Sequence, residues 1–293
     1  MATLRDLKGR IGSVSSSEKI TGAMKMISSA KMSKATREIK RLLPFRKQLE
    51  TIIGNLLSAE AEFTSPLTAE RQVKNASIVV FGSDDGLCGA YNINIFKQLL
   101  EHINGLRAEY GADLHVRLFA VGQKMQRACA KIVSTDVELI ADHGANSKSD
   151  SAEVKQFTQR LQHDFVSGET DRVDVIYMHF ISPSRQKLEA QQLIPVKPLD
   201  DNAAAEGNTT GLYIYEPDAA SIFSTALPLM ILSTMQEVFC ENRASEQAAR
   251  VMAMQSANDN ATKLLEQLRL EYNKLRQQSI TAELLDILGG QVR

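Results

Sequence analysis

Tryptophan is absent from this 293-residue sequence, and aromatic residues make up only 5% of it. The basic residues therefore come without the interleaved aromatics on which a single-stranded nucleic acid would stack, and no nucleic-acid-reading motif is present. Three cysteines, Cys88, Cys129 and Cys240, lie far apart. An odd count without a CxxC pair argues against both a disulfide framework and a zinc site, and predicts reduced thiols. The five histidines, at 102, 115, 143, 163 and 179, show no metal-ligand spacing and read as structural or surface residues. No uninterrupted apolar run reaches the roughly 18 residues a spanning helix needs, so no membrane insertion is expected. The first residues, with Asp6 and Glu18 early, lack the apolar core of a secretory signal.

What is present is an uneven charge. The net charge is −1, yet residues 1–50 hold twelve Lys/Arg against four Asp/Glu. A basic first segment suits either a solvated helix face or an acidic partner surface. Leu4, Leu7, Ile11 and Val14, then Ile20, Met24 and Ile27, then Leu49, Ile52, Ile53 and Leu56 recur at helical spacing. The pattern predicts a helical segment over 1–58. Gly9, Gly12 and Gly22 weaken it by about 1 kcal/mol each against alanine. Pro44 is expected to bend or break it, since proline removes a backbone donor.

The middle, 74–215, alternates differently. Ala76–Phe81, Leu114–Val121 and Val173–Ile181 are short apolar, β-branched runs that read as strands. Helical patterns at 92–108, 122–131 and 151–167 lie between them. Such alternation predicts a mostly parallel sheet with helices packed on it. Residues 188–199 and 211–215 read as added edge strands, because Pro195 and Pro198 suit an edge better than a centre. The stretch 200–211 reads as a loop.

Over 217–293 the absence of breakers is the signal. From Leu229 to Leu288 there is neither glycine nor proline, which allows a helix of roughly 90 Å at 1.5 Å per residue. Pro217-Asp218-Ala219 can open it. Val251, Met254, Ala261, Leu264, Leu265, Leu268, Tyr272 and Leu275 form its apolar positions, and the Ala-, Ser- and Asn-rich stretch 244–262 permits close backbone approach. Two long helices with narrow stripes gain stability by burying one another. The fold class expected is therefore α/β: an antiparallel two-helix coiled coil from the N- and C-terminal helices, plus a central Rossmann-like α/β domain.

Residues 83–92, SDDGLCGAYN, follow a strand and precede a helix. Such a turn can hold an anion, which would suit a nucleotide-binding enzyme with helical extensions. It matches neither phosphate-loop pattern, however, and Asp84 and Asp85 would repel phosphate. No histidine stands near Cys88 in sequence to activate it. The reading preferred is a tight turn with a buried thiol. Met24, Met26, Met32, Met252 and Met254 can serve as packing or as an adaptable contact surface. No catalytic, cofactor-binding or metal-binding residue is assigned.

Three stretches resemble the gamma subunit family of bacterial F-type ATP synthases. Ile20-Thr21-Gly22-Ala23-Met24-Lys25-Met26, with Ala30-Lys31-Met32 beyond, is similar to its N-terminal segment. SDDGLCGAYN is similar to its central S-D-x-G-L-C-G-x-Y/F-N. Tyr272–Gln277 followed by Ile280-Thr281-Ala282-Glu283-Leu284-Leu285-Asp286-Ile287 and Gly289-Gly290 is similar to its C-terminal signature. Gly22 stands where lysine is common, and Asp85 where Arg or Lys is usual. The resemblance implies a non-catalytic rotor shaft that couples proton flow through a membrane rotor ring to chemistry in the catalytic β subunits. The implied partners are the α and β subunits, the epsilon subunit and the ring of c subunits. The implied place is peripheral, on the cytoplasmic face of the bacterial inner membrane. By the same resemblance Arg276, Gln277, Thr281 and Glu283 meet loops of the β subunits. Met24, Lys25 and Lys31 face α/β subunit surfaces, the lysines by charge complementarity. A coiled-coil adaptor outside this family is the remaining alternative.

Overall fold

The computed structural model describes residues 3–57, 65–196 and 216–290. The chain divides into two compact units, Met1–Ala30 with Arg250–Arg293, and Lys31–Ala249.

Helix α1 runs over Leu4–Leu57 and helix α5 over Ala219–Gly290. Between them come a 3₁₀ turn at Pro66–Thr68, β1 (Asn75–Phe81), α2 (Tyr91–Tyr110), β2 (His115–Val121), α3 (Gln123–Cys129), β3 (Val137–Leu139), α4 (Ser151–Ser167), β4 (Arg172–Ser182) and β5 (Arg185–Ile194). The strand order is β3-β2-β1-β4-β5. β1 pairs in parallel with β2 and β4, β2 pairs in parallel with β3, and only β5 runs antiparallel, against β4. The sheet is thus mostly parallel, as the alternation predicted. The three-residue β3 carries no signal of its own in sequence. β5 is the expected edge strand and begins at Arg185, ahead of the predicted start. Its predicted end at 197–199, the strand at 211–215 and the loop at 200–211 lie outside the described residues.

Alternation of side chains along each strand builds two cores. Val79, Phe81, Phe119, Val121, Val173, Val175 and Tyr177 face α4 (Phe157, Leu161, Phe165), the last turns of α1 (Ile53, Leu56) and the first turns of α5 (Phe223 to Phe239). Ile78, Val80, Val116, Leu118 and Ile176 face α2 (Ile95, Leu99, Ile103) and α3 (Met125, Cys129). α5 has one stretch apolar enough for a membrane span, of which 56% is buried within the protein. Its early turns, Phe223 to Phe239, are consumed by the sheet: Phe239 meets Phe81 edge-on at 4.8 Å.

Two close backbone approaches require glycine. Gly122 has φ +105°, and a Cβ there would sit 2.8 Å from the Gly82 carbonyl oxygen; a Cβ on Gly82 would meet Met125 Cβ at 2.6 Å. α4 starts from a capping box in which Asp150 accepts from the Glu153 N–H while Glu153 accepts from the Asp150 N–H.

Pro44 does not break α1, contrary to one of the two outcomes expected. The helix continues through it, with Ile39, Leu49 and Ile53 buried on either side. Pro44 itself is exposed. Packing of neighbouring turns outweighs a cost of about 3 kcal/mol for interior proline. Burial along α1 falls at 4, 7, 11, 14, 18, 21, 25, 28, 32, 35, 39, 42, 46, 49, 53 and 56. These steps of three and four are the heptad spacing of a coiled-coil seam. Ile20, Ile27 and Ile52, read as seam residues from sequence, are instead 58%, 56% and 39% exposed. Glu18, Thr21 and Ser28 occupy the seam in that stretch.

Candidate functional site

Within the unit of Met1–Ala30 and Arg250–Arg293, the two helix segments run antiparallel. Asn258 Nδ2 donates to the Glu18 carbonyl at 2.8 Å and to Thr21 Oγ1 at 3.3 Å, and Thr262 Oγ1 donates to Glu18 Oε1 at 3.0 Å. Higher numbers on one helix meet lower numbers on the other. Gly22 fits this contact, since a Cβ would lie 3.4 Å from Asn258 Nδ2. On α5 burial recurs at 254, 258, 261, 265, 268, 272, 275 and 279, again at heptad spacing. Leu264, placed in the stripe from sequence, is 39% exposed, while Leu265 and Leu268 are each 3% exposed.

The pattern stops after Ser279. Every residue from Ile280 to Leu288 is exposed. By the antiparallel register, Arg276 stands beside the start of α1, and among the described residues no helix faces those beyond it. Five of them are large and apolar: Ile280, Leu284, Leu285, Ile287 and Leu288, from 48% to 63% exposed. At 100° per residue, Gln277, Ile280, Thr281, Leu284 and Leu288 share one face, a mixed apolar and polar surface. Thr281 Oγ1 is turned back onto the Gln277 carbonyl at 2.9 Å.

The predicted residues thus fall into separate groups. Arg276, Gln277, Thr281 and Glu283 lie together on the last turns of α5, all exposed. Met24 and Lys25 are half-buried on α1, opposite a part of α5 about 20 residues away from Arg276, or roughly 30 Å along the helix. Lys31 is exposed and belongs to the other compact unit. Of the methionines, Met254 is 4% exposed and packs, whereas Met26 and Met252 are 69% and 52% exposed. The apolar residues of the α5 tip were not singled out from sequence. Their signal was an apolar run, ITAELLDIL, at a helix end with nothing left to pair with.

Within Lys31–Ala249, the place where an α/β sheet binds nucleotides is filled. Strand order reverses direction around β1, and ligands of such folds sit beyond the carboxyl ends of the strands there. Here α5 occupies that place. Asn242 Nδ2 donates to the Gly82 carbonyl at 3.3 Å, and Ser245 Oγ donates to the Met178 carbonyl at 2.8 Å. The Tyr91 hydroxyl donates to the Asn242 carbonyl at 3.2 Å and also meets its side-chain oxygen. Asp84 ties the SDDGLCG turn down: it accepts from the Gln123 N–H at 3.1 Å and the Ser147 hydroxyl at 2.6 Å. Cys88 is buried, 3.4 Å from Asn92 Nδ2. Leu87 was not foreseen; it sits at φ +63°, is 60% exposed, and is the one non-glycine residue with positive φ among the described residues. Burial raises the Cys129 thiol to about 12 and the Cys240 thiol to about 11. His102 and His179 each pair with a carboxylate, Asp174 at 2.7 Å and Glu241 at 2.8 Å. Among the described residues no cluster of His, Cys, Asp or Glu could hold a metal.

The ATP synthase family model matches residues 3–292. The ATP synthase gamma chain of Bacteroides thetaiotaomicron is 38% identical over 302 residues, covering 100% of both chains. The chain belongs to the ATP synthase gamma chain family. Other members agree: the gamma chain of Flavobacterium psychrophilum is 35% identical over 99% of this chain and 98% of its own. The fold is also that of a chain in the Euglena gracilis mitochondrial ATP synthase solved as OSCP/F1/c-ring. That chain has TM-score 0.64 and 20% identity, with 99% of this chain and 93% of that one covered. A chain from the central stalk/c-ring of the Tetrahymena thermophila mitochondrial enzyme matches with TM-score 0.56 over 81% and 99%.

Proposed function

We propose that this family member is the central rotor shaft of an F-type ATP synthase and has no active site of its own. One observation carries the reading: in an ATP synthase gamma chain, α5 ends in exposed turns of mixed apolar and polar character that no helix faces among the described residues. Such a surface is stabilised by a partner. The partner proposed is the ring of α and β subunits, with Arg276, Gln277, Thr281 and Glu283 meeting β-subunit loops. Arg276 can make forked hydrogen bonds to a carboxylate there. Met24 and Lys25, near the exposed Met26 and Ile27, and Lys31 meet α/β subunit surfaces. Segments 1–58 and 217–293 form the shaft, and 74–215 forms the foot, which meets the epsilon subunit and the c ring. The complex lies peripherally on the cytoplasmic face of a bacterial inner membrane.

Three identical β subunits cannot hold three different nucleotide affinities unless something breaks their symmetry. An asymmetric shaft biases each differently, and turning it carries the bias around the ring. A shaft that turns must not be locked by one large apolar contact. Interleaving Gln277 and Thr281 with Ile280, Leu284 and Leu288 meets that requirement. That α5 lies across the strand-end crevice, bonded there through Asn242 and Ser245, supports this reading over a nucleotide-binding enzyme.

The test is ATP-driven proton pumping by the assembled complex carrying Arg276→Ala and Gln277→Ala together. Pumping is expected to fall at least several-fold, from weaker assembly or weaker coupling. Undiminished pumping would refute the role given to these residues. The purified chain alone should hydrolyse no ATP.

A further inference from the structure

In its first third, α5 carries two buried carboxylates one helical turn apart, Glu237 and Glu241, only 5% and 3% exposed. Three elements converge on them. From β4, His179 Nδ1 lies 2.8 Å from Glu241 Oε2, and the Tyr177 hydroxyl donates to Glu189 at 3.2 Å. From β5 come Glu189 and Lys187, which pair at 3.0 Å. From α1, Arg46 pairs with Glu237 and, at 2.8 Å, with Glu50. Three carboxylates therefore crowd one contact between α5 and the β4–β5 edge. Arg46 serves Glu237 and Lys187 serves Glu189, which leaves a histidine as the partner of Glu241. Like charges so close cannot all be ionised without cost.

We propose that Glu241 and His179 form a proton-operated clasp, which holds α5 on the β4–β5 edge while they share a proton and loosens when it is lost. In the closed state the protonated Glu241 carboxyl donates to His179 Nδ1. Loss of that proton leaves a buried carboxylate on α5, repelled by Glu237 and Glu189 even where the imidazole turns its Nδ1–H toward it. This goes beyond the rotor reading and does not rest on it.

Burial first, and then the charges of Glu237 and Glu189, raise Glu241 from 4.5 to about 7, while its contact with His179 works the other way. A carboxylate raised in the folded state stabilises least once it ionises. The closed clasp is therefore favoured on the acid side and is weakened as pH rises through the neutral range. Opening is therefore expected to grow by a few-fold, on the order of two to three, between about pH 6 and pH 8.

The experiment uses the full chain with ¹³C-labelled glutamate, alongside amide exchange corrected for intrinsic rates. The Glu241 carboxyl signal, identified by its loss in Glu241→Gln, should titrate near neutrality. Protection in β4, β5 and the α5 turns around Glu241 should fall a few-fold, roughly two- to threefold, from about pH 6 to about pH 8. Glu241→Gln should abolish that fall, and His179→Val should move the midpoint upward. Titration in the ordinary carboxylate range, protection that does not follow the titration, or an unchanged pH response in Glu241→Gln would each overturn the proposal. Should Glu241→Gln fail to fold, the signal is assigned by Glu241→Asp instead, and the wild-type titration and protection decide.

Discussion

Adjacent leucines on α5 test the seam directly. Leu265 is 3% exposed and Leu264 is 39% exposed, although sequence placed both in one stripe. Truncating Leu265 to alanine removes buried methyl groups and leaves a gap against the partner helix. Buried Leu→Ala changes cost about 2–5 kcal/mol. The lower half of that range applies, because a contact between only two helices can partly close. Truncating Leu264 removes a side chain already partly in water and leaves no enclosed gap, at a cost of about 1 kcal/mol. The two variants should therefore differ by about 1–2 kcal/mol, near a tenfold difference in the folding equilibrium. Urea unfolding of the full chain, followed by far-ultraviolet circular dichroism, measures the difference as a shift of midpoint at constant slope. Equal costs, or a larger cost at Leu264, would show that the heptad register is wrong and that α5 does not meet α1 along this seam.

Two further outcomes follow from the middle domain. Gly122→Ala should destabilise the chain by about 1–3 kcal/mol, because the φ is left-handed and the new Cβ would press on the Gly82 carbonyl; a change in urea midpoint below the error of measurement would contradict it. The thiols of Cys88, Cys129 and Cys240 are all buried. They should react slowly with a disulfide reagent at about pH 8 while folded and together once unfolded, and rapid labelling of the native chain would refute their burial.

Much of the fold was legible because its signals are local. β1, β2 and β4 are short β-branched runs between helical patterns, and the breaker-free stretch after Pro228 carries α5. Misreadings occurred where a partner decides. Ile20 and Ile27 have seam-like spacing, yet Glu18 and Thr21 occupy the seam because Asn258 and Thr262 across it supply hydrogen bonds. Pro44 carries a breaker's signature but lies where packing on both sides holds the helix. For the candidate site, Arg276, Gln277, Thr281 and Glu283 came from resemblance. The apolar face beside them became visible only once burial along α5 was seen to stop after Ser279.

By itself the sequence determined the alternation of strands and helices, the two long terminal helices, the buried thiol of Cys88 and the family. Each of these depends on spacing and composition along the chain. The tertiary structure decided the heptad register, the filling of the strand-end crevice by Asn242 and Ser245, and the meeting of Glu241 with His179. Those contacts join residues some 60 to 240 positions apart. Only folding sets which of many polar side chains becomes buried, and against which partner.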